Sequence, residues 1–245
     1  MAAPGERQRP QPIELTVIRT EWLTPEMVRV VLGGPGFDSF TTNAFTDKYV
    51  KLTFGEVRRT YTVRSVDAPA RELTIDFVVH GDSGVAAPWA RSARPGDTLA
   101  LAGPGGGYAP DPTADAHVLV GDASALPAIA SALEALTVDA VGHVYLEAQE
   151  QPLSAPAGVA VHWIGSEGEY DPARLASEVA SGAWPEGRVQ VFVHGERESV
   201  KALREVVRAY EVPRELLSIS GYWAHGRTED RFQAEKRAPI GVIPE

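Results

Sequence analysis

Arg59-Thr60-Tyr61-Thr62-Val63-Arg64 alternates two arginines and an aromatic with small or β-branched residues. It follows the apolar segment Tyr49-Val50-Lys51-Leu52-Thr53-Phe54. On a strand, residues two apart share a face. Thr60, Thr62 and Arg64 therefore lie on one side, and Arg59, Tyr61 and Val63 on the other. A guanidinium meets a phosphate through two parallel hydrogen bonds. A tyrosine face suits a planar ring, and a threonine hydroxyl suits a ring nitrogen. Phosphate plus flat heterocycle describes a flavin nucleotide. Taken alone, the six residues read equally as an exposed strand with solvated arginines.

Outward from this stretch the first half of the chain reads as strands. Glu14–Ile18, Met27–Leu32, Tyr49–Phe54, Arg59–Ser65, Glu72–Val79 and Thr98–Ala102 are β-rich runs separated by Pro- and Gly-bearing turns. Many short strands with little helix indicate a closed antiparallel β barrel or a sandwich. After Asp111-Pro112 the pattern changes to strand alternating with helix. Leu126, Ile129, Ala130, Leu133 and Leu136 recur at helical spacing, Asp171-Pro172 opens a second helix, and Val200, Leu203, Val206 and Val207 line a third. Such alternation means a parallel sheet wrapped by helices. The expected division is a tail over 1–12, a barrel over 13–110 and an α/β domain over 111–245.

Composition narrows the function classes. The chain has 245 residues, 44% hydrophobic and 23% charged, as expected of a soluble globular protein. It has no cysteine, which excludes disulfides and thiolate-held metals and fits a cytoplasmic location. A net charge of −10 argues against general nucleic-acid binding. No apolar run reaches membrane-spanning length. His117, His143, His162 and His225 lack ligand-like spacing and read as structural, so no metal site is expected. No nucleophile elbow or His-Glu-x-x-His pattern supports hydrolysis.

Three further stretches carry site-like features. Gly121-Asp122-Ala123-Ser124 ends a strand and opens a helix, where a parallel sheet binds ligands, but it is not the Gly-x-Gly-x-x-Gly fingerprint and taken alone reads as a plain strand–helix turn. His194-Gly195-Glu196 ends another strand in the same way; His194 reads as a ligand-facing group or as a packing residue. Between Asp76 and Ala90 a strand runs into small residues and then Trp89, and small residues let backbone amides approach a phosphate. Trp89 reads as a cover for an adenine or as core.

Together these pieces resemble the ferredoxin-reductase superfamily, and within it the siderophore-interacting protein family. The resemblance rests on Arg59-x-Tyr61-Thr62-x-Arg64, Asp47-Lys48-Tyr49-Val50-Lys51-Leu52, Asp76-Phe77-Val78-Val79-His80-Gly81, Gly121-Asp122 with Ala125-Leu126-Pro127, and Gly221-Tyr222-Trp223 with Gly226-Arg227. It implies a Greek-key FAD-binding barrel followed by a nicotinamide-nucleotide domain, and FAD-dependent reduction of a ferric siderophore by NADH, NADPH or a ferredoxin. The implied cofactor set is Arg59, Tyr61, Thr62, Val63, Arg64, Asp76, Val78, His80, Gly81, Ser83, Gly84, Val85, Ala86, Ala87 and Trp89. Gly121, Asp122, Ser124, Gly195 and Glu196 would face the nicotinamide. Lys48, Lys51, Tyr222, Trp223, Arg231, Lys236 and Arg237 would form the chelate site, the cations offsetting an anionic substrate on an acidic protein. No residue is assigned an acid or base role, because electron transfer demands none, and a monomer is expected. The chain departs from the family where Ala123-Ser124 replaces Glu-Thr, and where Val193-His194-Gly195-Glu196 varies the usual Ala-Gly-Glu. The alternatives are a flavin reductase serving another acceptor, such as a quinone or a biosynthetic partner, and a non-enzymatic ferric-chelate-binding protein.

Overall fold

The computed structural model describes residues 12–79, 84–165, 168–236 and 238–243. The expected site residues His80, Gly81, Ser83 and Arg237 lie outside them. The first half forms β1 (Ile13–Thr24), β2 (Met27–Gly33), β3 (Tyr49–Phe54), β4 (Val57–Thr62), β5 (Ser65–Asp67), β6 (Glu72–Val78), α1 (Ala86–Ser92) and β7 (Thr98–Gly105). Its strands pair antiparallel in the order β4-β3-β7-β1-β2-β6-β5.

The two edge strands, β4 and β5, are consecutive in the chain and separated only by Val63-Arg64. The Val63 N–H donates to the Lys48 carbonyl on the β3 side, and the Arg64 N–H donates to the Thr74 carbonyl of β6, each at 2.8 Å. One pair of residues thus passes the chain from one edge of the sheet to the other and closes it into a barrel. Sequence reading had run Arg59 to Ser65 as a single strand; the strand is interrupted at the closure. Alternate residues of each strand fill the interior, including Leu15, Val17, Val28, Val30, Leu32, Val50, Leu52, Leu73, Ile75 and Phe77, and Val63 is wholly buried with them. Burying each such side chain contributes on the order of 1.5–3 kcal/mol.

The second half forms β8 (Ala116–Asp122), α2 (Leu126–Ala135), β9 (Val141–Glu147), β10 (Gly158–Ile164), α3 (Arg174–Ser181), β11 (Val189–Glu196), α4 (Arg197–Arg208), β12 (Leu217–Trp223) and α5 (Glu229–Glu235). All strand pairs are parallel, in the order β10-β9-β8-β11-β12. Val118, Val120, Val191 and Val193 pack with α3 and α4 on one face, while Leu119, Val144, Leu146 and Phe192 pack under α2 on the other. Strand order reverses between β8 and β11, the position at which open α/β sheets take ligands.

The connection between the halves is fixed at both ends. Asp47 Oδ1 accepts the backbone N–H groups of Gly107 and Tyr108, both at 2.8 Å. Gln190 of β11 accepts from the Asp111 N–H at 2.8 Å and donates to the Ala109 carbonyl at 3.0 Å. The outward face of the closure segment then meets α2: the Ser131 hydroxyl donates to the Arg64 carbonyl at 2.6 Å. No helix among the described residues is long and apolar enough to cross a membrane.

Candidate active site

The alternation of β4 divides its residues as the pleat requires. Tyr61 lies against Phe77 with ring centroids 4.5 Å apart, on the barrel side with Val63. Burial pushes its hydroxyl up to about 12, so it stays neutral. Thr62 and Arg64 face the α/β domain: the Thr62 side chain lies near enough to Tyr222 to lower its hydroxyl slightly against the larger effect of burial, and both terminal guanidinium nitrogens of Arg64 reach the carboxylate of Glu134 on α2, one of them at 2.8 Å. Among the described residues Arg59 hydrogen-bonds the highly exposed Asp230 of α5, at 3.3 Å, and its own neighbour's carbonyl, at 2.9 Å.

Trp89 sits inside α1, in an aromatic row with Phe77 and Phe54 at 5.7 and 5.5 Å. It is part of the barrel packing and remains half-exposed. Ala86 belongs to the core, Val85 and Ala87 are half-buried, and Gly84 is exposed with φ +83° and open space where a side chain would stand. Asp76 is taken by a fork from Arg29, at 2.7 and 2.8 Å, while Val78 is half-buried beside it. Arg29, Asp76, Arg64, Glu134, Leu126 and Gln151 line a cleft of about 410 Å3 between the two halves.

At the carboxyl end of the parallel sheet, Asp122 is fully engaged. Its Oδ1 accepts from the Ser124 N–H and hydroxyl at 2.8 and 2.5 Å, and its Oδ2 accepts from the Glu196 N–H at 2.7 Å and the Trp223 indole at 2.8 Å. One carboxylate therefore ties together the ends of β8, β11 and β12. Gly195, with φ +148°, is required there, since a Cβ would lie 2.7 Å from Asp122 Oδ2. A Cβ on Gly121 would lie 2.8 Å from the His194 carbonyl. Glu196 is also committed. Its Oε2 caps α4 through the Glu198 and Ser199 N–H groups and accepts the Tyr170 hydroxyl at 2.6 Å, while Oε1 accepts the His225 N–H. Both acidic side chains that sequence reading turned toward a nicotinamide are thus bound internally.

The cations come from two distant parts of the chain. Lys51 on β3 and Lys236 at the end of α5 lie close enough for Lys51 to lower the Lys236 ammonium, a smaller effect than burial. Lys236 rests over the Phe232 ring at 4.8 Å. Burial also lowers Lys48. Arg231 is exposed and bound to Glu235. Glu235 holds Arg197, Arg227 and Arg231 together, and the hydrogen bond from Arg197 is the main reason its carboxyl falls to about 2.

Sequence reading missed three features. Glu134 occupies Arg64, α5 reaches from the α/β domain to Arg59, and His143 and His162 lie on neighbouring strands with ring nitrogens 3.2 Å apart. The last had a signal only once the β9–β10 register was known. Among the described residues no group of three metal-ligating side chains forms.

Comparison with known proteins agrees with this layout. The profile described as a siderophore-interacting FAD-binding domain matches residues 16–57 and 55–108, and the siderophore-interacting protein profile matches residues 114–226. The chain belongs to the siderophore-interacting protein family. Its antiparallel barrel and parallel α/β sheet share the fold of the ferredoxin reductase of carbazole 1,9a-dioxygenase, with a TM-score of 0.70 at 14% identity. Family relatives include the ferric vibriobactin reductase ViuB of Vibrio cholerae, 31% identical over 95% of this chain and 96% of that one. The NADPH-dependent ferric-chelate reductase of Escherichia coli is 30% identical over 86% and 92%. The crystal structure of the siderophore-interacting protein SipS from Aeromonas hydrophila superposes with a TM-score of 0.83 at 30% identity, covering 95% and 99% of the two chains.

Proposed function

We propose that this protein is an FAD-dependent oxidoreductase that reduces ferric siderophores in the cytoplasm and releases ferrous iron. The observation that carries the reading is that β4 and β3 of the barrel meet the carboxyl-terminal part of the chain, Thr62 beside Tyr222 and Lys51 near Lys236. The barrel, residues 13–110, holds the flavin, and the α/β domain over 111–245 takes the electron donor. The residues fit the cofactor. The carboxylate that Arg59 would release to take a phosphate, Asp230, is exposed and held at 3.3 Å, Tyr61 presents a neutral half-buried ring, and Gly84 has open space where a side chain would stand. Bound FAD supplies the conversion of a two-electron donor into single-electron steps onto Fe(III).

The chain's own residues bind, orient and offset charge. Tyr61 and Thr62 orient the ring. Arg64 exchanges its Glu134 partner for the pyrophosphate. Lys48, Lys51 and Lys236 offset an anionic chelate, and the half-buried position of Lys48 strengthens its share of that attraction by limiting solvent screening. Siderophores hold iron through hard donors that favour the trivalent ion, so reduction itself loosens the complex. The NADPH dependence of the Escherichia coli relative favours a pyridine nucleotide as donor over a ferredoxin. With Asp122 and Glu196 internally bound, that donor meets backbone and neutral groups at the sheet end.

The test reverses charge at Lys51 and Lys236. Lys51→Glu and Lys236→Glu should take up FAD as the parent does while their reduced flavin is reoxidised at least about tenfold more slowly by an anionic ferric chelate. Unchanged reoxidation would remove both lysines from the substrate site.

A further inference from the structure

His194 lies two residues before the end of β11, paired with Gly121 of β8 at the reversal of strand order. Its side chain is only 4% exposed. Nε2 lies 2.9 Å from the Ser218 hydroxyl, the ring stacks on Phe192 at 3.8 Å, and the Tyr222 ring meets it edge-on at 5.0 Å. Nδ1 is buried and has no partner among the described residues, a condition only the His117 Nδ1 shares there. Burial holds the imidazole neutral, well below its ordinary range at about 3.

An unpartnered buried nitrogen destabilises the fold, and an apolar side chain here would continue the run Val191-Phe192-Val193 without that penalty. Packing alone therefore does not account for a histidine. Its position does: Tyr222 lies against His194 and near Thr62 of β4, so one side chain separates the imidazole from the residues read as the flavin motif.

We propose that His194 contacts the redox ligand at the domain boundary, its Nδ1 hydrogen-bonding the amide edge of a planar heterocycle while Nε2 keeps its contact with the Ser218 hydroxyl, which can donate or accept. The flavin's pyrimidine edge and the carboxamide of a nicotinamide share this chemistry, a carbonyl beside an N–H, and either satisfies Nδ1 as donor or acceptor. The inference rests on the flavin reading above.

The experiment compares the full-length parent with His194→Leu and His194→Asn. FAD affinity is read by quenching of flavin fluorescence. Affinity for a non-reducing NADH or NADPH analogue is read by titration of the loaded protein. His194→Leu should melt no lower than the parent yet lose about tenfold, the worth of one well-made hydrogen bond, in one titration and not the other. Loss on FAD assigns the contact to the flavin, and loss on the analogue assigns it to the nicotinamide. His194→Asn, which restores a polar group, should recover part of that loss. If both affinities of His194→Leu stay within about threefold of the parent, or if it loses affinity only by unfolding and His194→Asn restores none, the proposal is overturned. A parent that takes up no FAD sinks the flavin reading separately, and the analogue titration on the bare protein still decides His194.

Discussion

Arg64 shows how one side chain can be legible in type and hidden in circumstance. Its presence in a motif read as phosphate-binding was visible at once, but its partner in the structure, Glu134, lies on α2 of the other half. Nothing local in the sequence links the two. Glu134 is about half exposed, so the pair contributes at most about 1 kcal/mol to stability. Glu134→Gln should therefore leave the melting temperature nearly unchanged and tighten FAD binding several-fold, by removing the competitor for the guanidinium. Weaker FAD binding would instead make Arg64 a clamp between the halves. Asp122 is the opposite case, a carboxylate whose position at a strand end suggested a ligand and whose oxygens serve Ser124, Glu196 and Trp223. Asp122→Ala would leave the buried Glu196 N–H without its acceptor and loosen three strand ends. We expect a loss of about 2–4 kcal/mol in denaturant unfolding; a loss below about 1 kcal/mol would mean that water replaces the carboxylate there.

At the scale of elements, α5 was absent from the sequence reading because its seven residues carry a single buried apolar side chain, Phe232, too few for a helical period. Charge holds it instead. Thr228 caps its first turn, Glu235 gathers Arg197, Arg227 and Arg231 at its last, and the arrangement delivers Lys236 toward Lys51. Because the Glu235 carboxyl is lowered from 4.5 to about 2 in the fold, its contribution is present in full above about pH 4.5 and is lost as pH falls toward 2. Glu235→Gln should flatten stability across that window and speed amide exchange throughout residues 229–235, as followed by hydrogen-exchange mass spectrometry. Unchanged exchange would show that Phe232 alone docks the helix. The long, strongly patterned elements, by contrast, were readable. β2 alternates Val28, Val30 and Leu32 inward, and α2 repeats Leu126, Ile129 and Leu133. The break at Val63-Arg64 was not readable, because barrel closure depends on β6, which lies later in the chain.

For the whole molecule, fold class followed from the switch between two periodicities near residue 110, which is a property of pattern and survives local error. The site did not follow so directly. As proposed it draws on β3, β4, β12 and the end of α5, and only the fold brings Thr62 near Tyr222 and Lys51 near Lys236. A protein of net charge −10 that gathers lysines at one boundary should draw an anionic chelate to that place alone. Its reaction with the chelate should accordingly slow as ionic strength rises, measured by stopped-flow; acceleration with salt would contradict that arrangement. The most direct test of the central proposal follows the flavin itself. The purified protein is loaded with FAD, reduced by light without oxygen and mixed with a ferric siderophore while flavin absorbance is recorded. We predict that the protein takes up FAD and that its oxidised absorbance returns with the chelate far faster than for free reduced FAD, with ferrous iron appearing in step. A protein that binds no FAD, or whose reduced flavin the chelate reoxidises no faster than free flavin, would contradict it.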